Sequence, residues 1–253
     1  MLLVRVPCLL RRYLYSTMAS SLHNNGDLQV TFTSEGWQEA GQRMLVLDSS
    51  FNPPTRAHQA LVQDTVSHFG PGFFDRCLLL YTTRNVDKVN ATGASTDERM
   101  AMMTVVARKL ANEQLATAVA KTPHGKFVDK ATTLATQWPN CTPYFVLGYD
   151  TVTRFLDPKY YLPTPLNEAL APFFKHAQLV CADRPGYGDI ESFWQSCAYK
   201  DKMTRIMLSD PAIAQLSSTL ARQEAHCNNQ SKLDTIVDPE VAVYIREKQL
   251  YSK

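Results

Sequence analysis

Short apolar runs alternate along the chain with longer stretches whose apolar positions recur three and four residues apart. The runs Met44–Leu47, Cys77–Tyr81, Tyr144–Leu147, Leu179–Ala182 and Arg205–Leu208 are each closed by polar or turn residues and predict strands. After the first run the pattern turns helical at once, opened by Ala57, Ala60 and Leu61, with Val62 and Val66 on the apolar side. Ser95 with Glu98 three residues later forms a capping box, and Met100, Met103, Ala107 and Leu110 recur on one face behind it. Asp238 and Pro239 open a last helix carrying Val241, Tyr244 and Ile245. Strands alternating with helices argue for an α/β protein with a doubly wound parallel sheet. A ligand then lies beyond the carboxyl ends of the strands, where strand order switches, so residues just after strands carry the chemistry.

Composition narrows the class. The 253 residues are 45% hydrophobic and 20% charged, as in a globular rather than a disordered chain. A net charge of +2 gives no sign of a nucleic-acid coat or polyanion binder, and no apolar run approaches the length of a membrane span. The six cysteines, Cys8, Cys77, Cys141, Cys181, Cys197 and Cys227, show no C-x-x-C spacing and read as reduced thiols. The six histidines, His23, His58, His68, His124, His176 and His226, show no metal-ligand spacing. No G-x-x-x-x-G-K-[ST] occurs, which argues against a P-loop enzyme. Residues 1–26 carry Arg5, Arg11 and Arg12 and no acidic residue, which suits either a mitochondrial presequence or a poorly ordered tail, with Met18 as a second initiator. The expected location is therefore cytoplasmic or mitochondrial. Asp27–Gly41 reads as a lead-in anchored by Val30, Phe32 and Trp37, and with no internal repeat or low-complexity break residues 27–253 form one domain.

The chain is organised around Ser49-Ser50-Phe51-Asn52-Pro53-Pro54-Thr55-Arg56-Ala57-His58, which follows the first strand and opens the first helix. Backbone N–H groups, a helix N-terminus and a histidine converge at such a junction, where an anion prefers to sit. A structural turn capped by Thr55 is the plain alternative. The longer pattern S-F-N-P-P-T-x-x-H resembles the signature of the nucleotidyltransferase superfamily, and most closely that of the nicotinamide-mononucleotide (NMN) adenylyltransferases, which read G-S-F-N-P-x-T-x-x-H. Ser49 stands where that family usually has glycine. Gly148-Tyr149-Asp150, with Phe155 and Pro158-Lys159-Tyr160-Tyr161 behind it, is similar to the family's G-A-D-x-x-x-x-F and P-x-x-W, with Tyr161 in place of the tryptophan. Arg184-Pro185-Gly186 matches R-x-G, and Leu216-Ser217-Ser218-Thr219-Leu220-Ala221-Arg222 matches I-S-S-T-x-x-R but for its first residue. The last of these puts hydroxyls at a helix start with an arginine one turn on, a second anion site.

The resemblance runs from about Met44 to Tyr251 and is nearest to the fungal members. It implies a Rossmann-like fold that transfers AMP from ATP to NMN, forming NAD and pyrophosphate by in-line attack, with Mg²⁺ carried on the phosphates. Its implied catalytic residues are His58 and Arg222. ATP would be held by Ser50, Phe51, Thr55, His58, Lys88, Ser217, Ser218, Thr219 and Arg222. NMN would be held by Gly148, Asp150, Tyr161, Arg184, Phe127 and Thr133, although Phe127 also suits a plain core role. Substrates and product are the only partners implied, with neither nucleic acid nor membrane. Two alternatives stay open: nucleotidyl transfer to another phosphate substrate, against which Ala57 counts because those relatives favour H-x-G-H, and an ATP-binding or ATP-hydrolysing module on the same fold.

Overall fold

The structure, a computed structural model, describes residues 23–24, 26–83, 93–113, 115–183, 186 and 188–252. Its strands are β1 His23–Asn24, β2 Gln29–Thr33, β3 Arg43–Asp48, β4 Arg76–Thr82, β5 Thr117–Thr122, β6 Thr142–Gly148, β7 Gln178–Ala182 and β8 Met203–Ile206. They form one eight-stranded sheet in the order β1-β2-β5-β4-β3-β6-β7-β8. From β5 to β8 every neighbour is parallel, while β1 and β2 add an antiparallel edge beside β5.

Side-chain alternation along the strands supplies the two layers. Leu45, Leu47, Cys77, Leu79 and Tyr81 face one core, and Met44, Val46, Leu78 and Leu80 face the other. The first core is covered by α1 Arg56–Phe69, α2 Thr96–Glu113, α8 Ser218–His226, α9 Gln230–Ile236 and α10 Pro239–Glu247. The second is covered by α3 Phe127–Gln137, α4 Tyr149–Phe155, α5 Leu166–His176 and α6 Ile190–Ser196. A further short helix, α7 Pro211–Ala214, precedes α8. The capping box at α2 forms as the sequence suggests: Glu98 Oε2 accepts the Ser95 N–H at 2.6 Å, and Ser95 Oγ accepts the Glu98 N–H at 3.3 Å.

Three expectations change. The lead-in Asp27–Gly41 contains β2, whose Val30 is fully buried and pairs with Ala120. The strand β5, Thr-Ala-Val-Ala-Lys-Thr, carries too little apolar signal to stand out; its burial comes from β2 and β4 on either side. The last strand sits at Met203–Ile206 rather than Arg205–Leu208, because its pairing with β7 ends at Ala182 and Ile206 and leaves Met207 74% exposed. Of residues 1–26, read as a tail or targeting segment, 1–22 and 25 lie outside the described residues, and His23–Asn24 form β1.

Chain order explains where a ligand can go. Successive strands β3, β4 and β5 step in one direction, and β6 then returns to the other side of β3. The crossovers before and after that reversal leave the sheet on opposite faces, so a crevice opens beyond the carboxyl ends of β3 and β6.

Candidate active site

A cleft of about 270 Å³ occupies that crevice. Its floor is Leu47, Asp48 and Ser49 from the end of β3 and Val146, Leu147 and Gly148 from the end of β6; Thr55, His58, Asp150, Ser217 and Ser218 stand around it. Of the residues singled out from sequence, these last five and Gly148 line one cavity, as does Ser49.

The loop after β3 is held from behind. Arg99, itself 5% exposed, donates from Nη1 to the Ser50 carbonyl at 3.2 Å and from Nε to the Ala94 carbonyl at 2.8 Å. Phe51 takes a left-handed φ of 43° with its ring fully buried and centred 5.1 Å from the His58 ring. Asn52 Oδ1 accepts from the Ala94 N–H at 3.1 Å and the Tyr251 hydroxyl at 2.9 Å. Gly93 makes this approach feasible, since a Cβ there would fall 2.6 Å from Asn52 Nδ2. Two contacts then bring the distant second segment onto the same loop: Arg222 Nη1 donates to the Asn52 carbonyl at 2.7 Å, and Ser218 Oγ donates to the Pro53 carbonyl at 2.8 Å.

That arrangement places the two helix starts side by side. Thr55, 1% exposed, is the N-cap of α1, and Ser217 is the N-cap of α8, its Oγ accepting the Leu220 N–H at 3.1 Å. Helix N-termini present unpaired N–H groups and positive potential. His58 sits in the first turn of α1, where Nδ1 accepts the Thr55 N–H at 3.0 Å and Nε2 lies 2.9 Å from Ser49 Oγ. Arg222 works from outside the cleft wall, with Nη2 on Thr219 Oγ1 at 3.1 Å as well as Nη1 on Asn52. Ser50, Phe51 and Thr219 likewise shape the loop and helix without lining the cleft.

On the other side of the sheet Gly148 is the N-cap of α4, and Asp150 lies in its first turn. A Cβ at residue 148 would be 3.1 Å from Asp150 Oδ1, so glycine leaves that carboxylate its position. Tyr161 turns inward: its hydroxyl donates to the Phe155 carbonyl at 2.9 Å, and burial pushes its pKa up to about 12. Phe127 packs edge-on against Phe145 and Phe155, with centroids at 5.9 and 5.7 Å, and Thr133 lies half-buried on α3. None of Tyr161, Phe127 and Thr133 lines the cleft. Lys88 and Arg184 lie outside the described residues.

Two charged groups went unnoticed in sequence. Asp48 ends β3 at the cleft and accepts from Lys130 Nζ at 2.5 Å and Thr82 Oγ1 at 3.2 Å; the side chains of Asp48 and Lys130 are 9% and 2% exposed. Lys130 also lies 4.5 Å over the Phe127 ring. Asp183, after β7, is 7% exposed and accepts from Arg205 Nε at 2.8 Å and Trp194 Nε1 at 3.2 Å. An aspartate closing a buried strand was the available signal for both, but their partners are 82 and 22 residues away.

A doubly wound sheet whose switch-point crevice gathers two helix N-termini and a histidine is the architecture of a nucleotide-binding α/β protein. The chain belongs to the cytidylyltransferase-like family, whose model matches residues 46–224. It is 34% identical over 139 residues to a Schizosaccharomyces pombe protein named "Putative nicotinamide mononucleotide adenylyltransferase", covering 55% of this chain and 52% of that one. The chain thus spans about half the length of this curated relative. Among solved structures it is similar to the Plasmodium falciparum nicotinic acid mononucleotide adenylyltransferase complexed with NaAD, with a TM-score of 0.64 and 18% identity over 84% of this chain and 98% of the other. The same enzyme complexed with APC gives a TM-score of 0.63 and 17% identity over the same shares of the two chains. These two similarities concern the fold.

Proposed function

We propose that the protein is an adenylyltransferase that joins the AMP part of ATP to the phosphate of nicotinamide mononucleotide, yielding NAD and pyrophosphate. The observation that carries this reading is the docking of the second segment on the first, through Arg222 to Asn52 and Ser218 to Pro53, which sets two helix N-termini and His58 around one cleft. The named function of the Schizosaccharomyces pombe relative points the same way.

The phosphate oxygen of NMN is already an anion at neutral pH, so in-line displacement at the α-phosphorus needs positioning and charge neutralisation rather than a strong base. In this reading the N-termini of α1 and α8, with Thr55, Ser217 and Ser218, hold the triphosphate. His58 anchors the hydrogen-bond donation that meets the charge building on the departing pyrophosphate. Arg222 with Thr219, and Arg99 with Ser50 and Phe51, keep the loop in the shape that this needs. Gly148 and Asp150 serve the mononucleotide on the far side of the switch. Mg²⁺ carried on the triphosphate with mostly water ligands would neutralise phosphate charge.

The test is incubation with ATP, Mg²⁺ and NMN, following NAD and pyrophosphate, with nicotinic acid mononucleotide in a parallel arm. CTP with other phosphate substrates forms a third arm. Dinucleotide formed in either pyridine arm supports adenylyl transfer, and their ratio gives the preference. Pyrophosphate released only in the third arm, or ATP hydrolysed with no dinucleotide, refutes it.

A further inference from the structure

Ser49 stands directly on the imidazole. Because a backbone N–H can only donate, the Thr55 N–H on Nδ1 makes that nitrogen an acceptor, which assigns the ring hydrogen to Nε2. The Nε2–H therefore donates to Ser49 Oγ at 2.9 Å, which leaves the serine's own hydroxyl hydrogen to be given to something else. Among the described residues nothing accepts it, and Ser49 lines the cleft. The main chain at this residue has no donor to offer a ligand, since the Ser49 N–H is bonded to the Leu80 carbonyl at 3.2 Å as a continuation of the sheet. Thr55 on one side and the Phe51 ring at 5.1 Å on another fix the imidazole, so the serine is held against a rigid donor.

We propose that Ser49 is interposed between His58 and the triphosphate, accepting from Nε2–H and donating its hydroxyl to a nonbridging phosphate oxygen. This rests on the reading of the cleft as the ATP site. No proton is transferred: the histidine polarises the serine hydroxyl, and a hydroxyl that already accepts a hydrogen bond is the stronger donor. Histidine and serine then act as one unit, and the group facing the developing charge is an O–H rather than an imidazole N–H.

The test compares the wild type with Ser49→Ala, His58→Ala, the double variant and Ser49→Thr, each checked for a native melting transition. Pyrophosphate release from ATP and NMN gives kcat and KM, and calorimetric titration gives the ATP dissociation constant. Ser49→Ala is expected to lower kcat by about tenfold or more, as loss of one donor to a charged group does. In the His58→Ala background the same change should add less than about threefold, because the chain is already broken. Ser49→Thr, which restores a hydroxyl, should recover most of the loss. A kcat for Ser49→Ala at or above wild type, losses that simply multiply, or no recovery by threonine would overturn the proposal. Absence of transfer by the wild type would sink the proposed function instead. The ATP dissociation constants of the same proteins then decide the matter by the same coupling: a shared, non-multiplying loss supports it and independent losses overturn it.

Discussion

Replacing Lys130 by methionine isolates the charge at the end of β3. The Lys130→Met side chain keeps an unbranched stem against Phe127 and removes the ammonium 2.5 Å from Asp48 Oδ2. Asp48 would be left as a carboxylate only 9% exposed, with the Thr82 hydroxyl still donating to it. Stripping one partner from a buried ion pair costs about 3–5 kcal/mol. The lower figure applies here, because the Thr82 contact survives and the carboxylate borders a cleft that water can enter. In a chain of this size roughly 3 kcal/mol corresponds to a fall in Tm of about 6–12 °C. Scanning calorimetry or circular dichroism melts would measure it. Asp48→Asn combined with Lys130→Met removes the stranded charge and should regain more than half of the loss. The single variant should also bind ATP more weakly, since a bare negative charge would precede the loop proposed to receive phosphate. A Tm within about 2 °C of wild type, or a double variant no more stable than the single one, would refute the idea that this pair is a mutually dependent buried unit.

Other outcomes follow from the same geometry. His58→Ala should lower kcat about a hundredfold or more in the dinucleotide assay, the usual effect of losing a preorganised donor, with Tm little changed. Gly148→Ala, which pushes a Cβ to 3.1 Å from Asp150 Oδ1, should raise KM for the mononucleotide several-fold while leaving the ATP dissociation constant within about twofold. Gly93→Ala combines a φ of +119° with a 2.6 Å clash on Asn52, and should lower stability by about 1–3 kcal/mol in urea titration. Burial pushes the Cys77 and Cys181 thiols from 9.0 up to about 12, so the folded protein holds those protons more tightly than the unfolded chain. Their contribution to stability is complete below about pH 9 and is lost as pH rises from 9 toward 12, which urea midpoints across that range would show. A thiol reagent at pH 8 should react with the exposed Cys227 in the native state and spare Cys77 and Cys181.

Local patterns were enough for the elements whose signal lies within a few residues. β3, α1, the Ser95 capping box and α10 all fall where apolar spacing and capping chemistry put them, because strand alternation and helix caps are short-range physics. The strands β2 and β5 were hidden because their burial depends on each other and on β4: Thr-Ala-Val-Ala-Lys-Thr becomes core only once neighbours cover it. The true span of β8 depended on where β7 stops pairing, a fact of register rather than composition.

The site divides in the same way. Sequence by itself determined the pieces: a strand leading to S-S-F-N-P-P-T-x-x-H, a G-x-D after a second strand, and S-S-T-x-x-R at a late helix start. Only the folded chain decided which pieces touch and through which atoms. It put Arg222 on the Asn52 carbonyl rather than in the cleft, turned Tyr161 inward to Phe155, and joined Asp48 to Lys130 and Ser49 to His58. Side-chain direction is set by packing across 82 or 170 residues of separation, and no pattern along the chain encodes the distance between two such atoms.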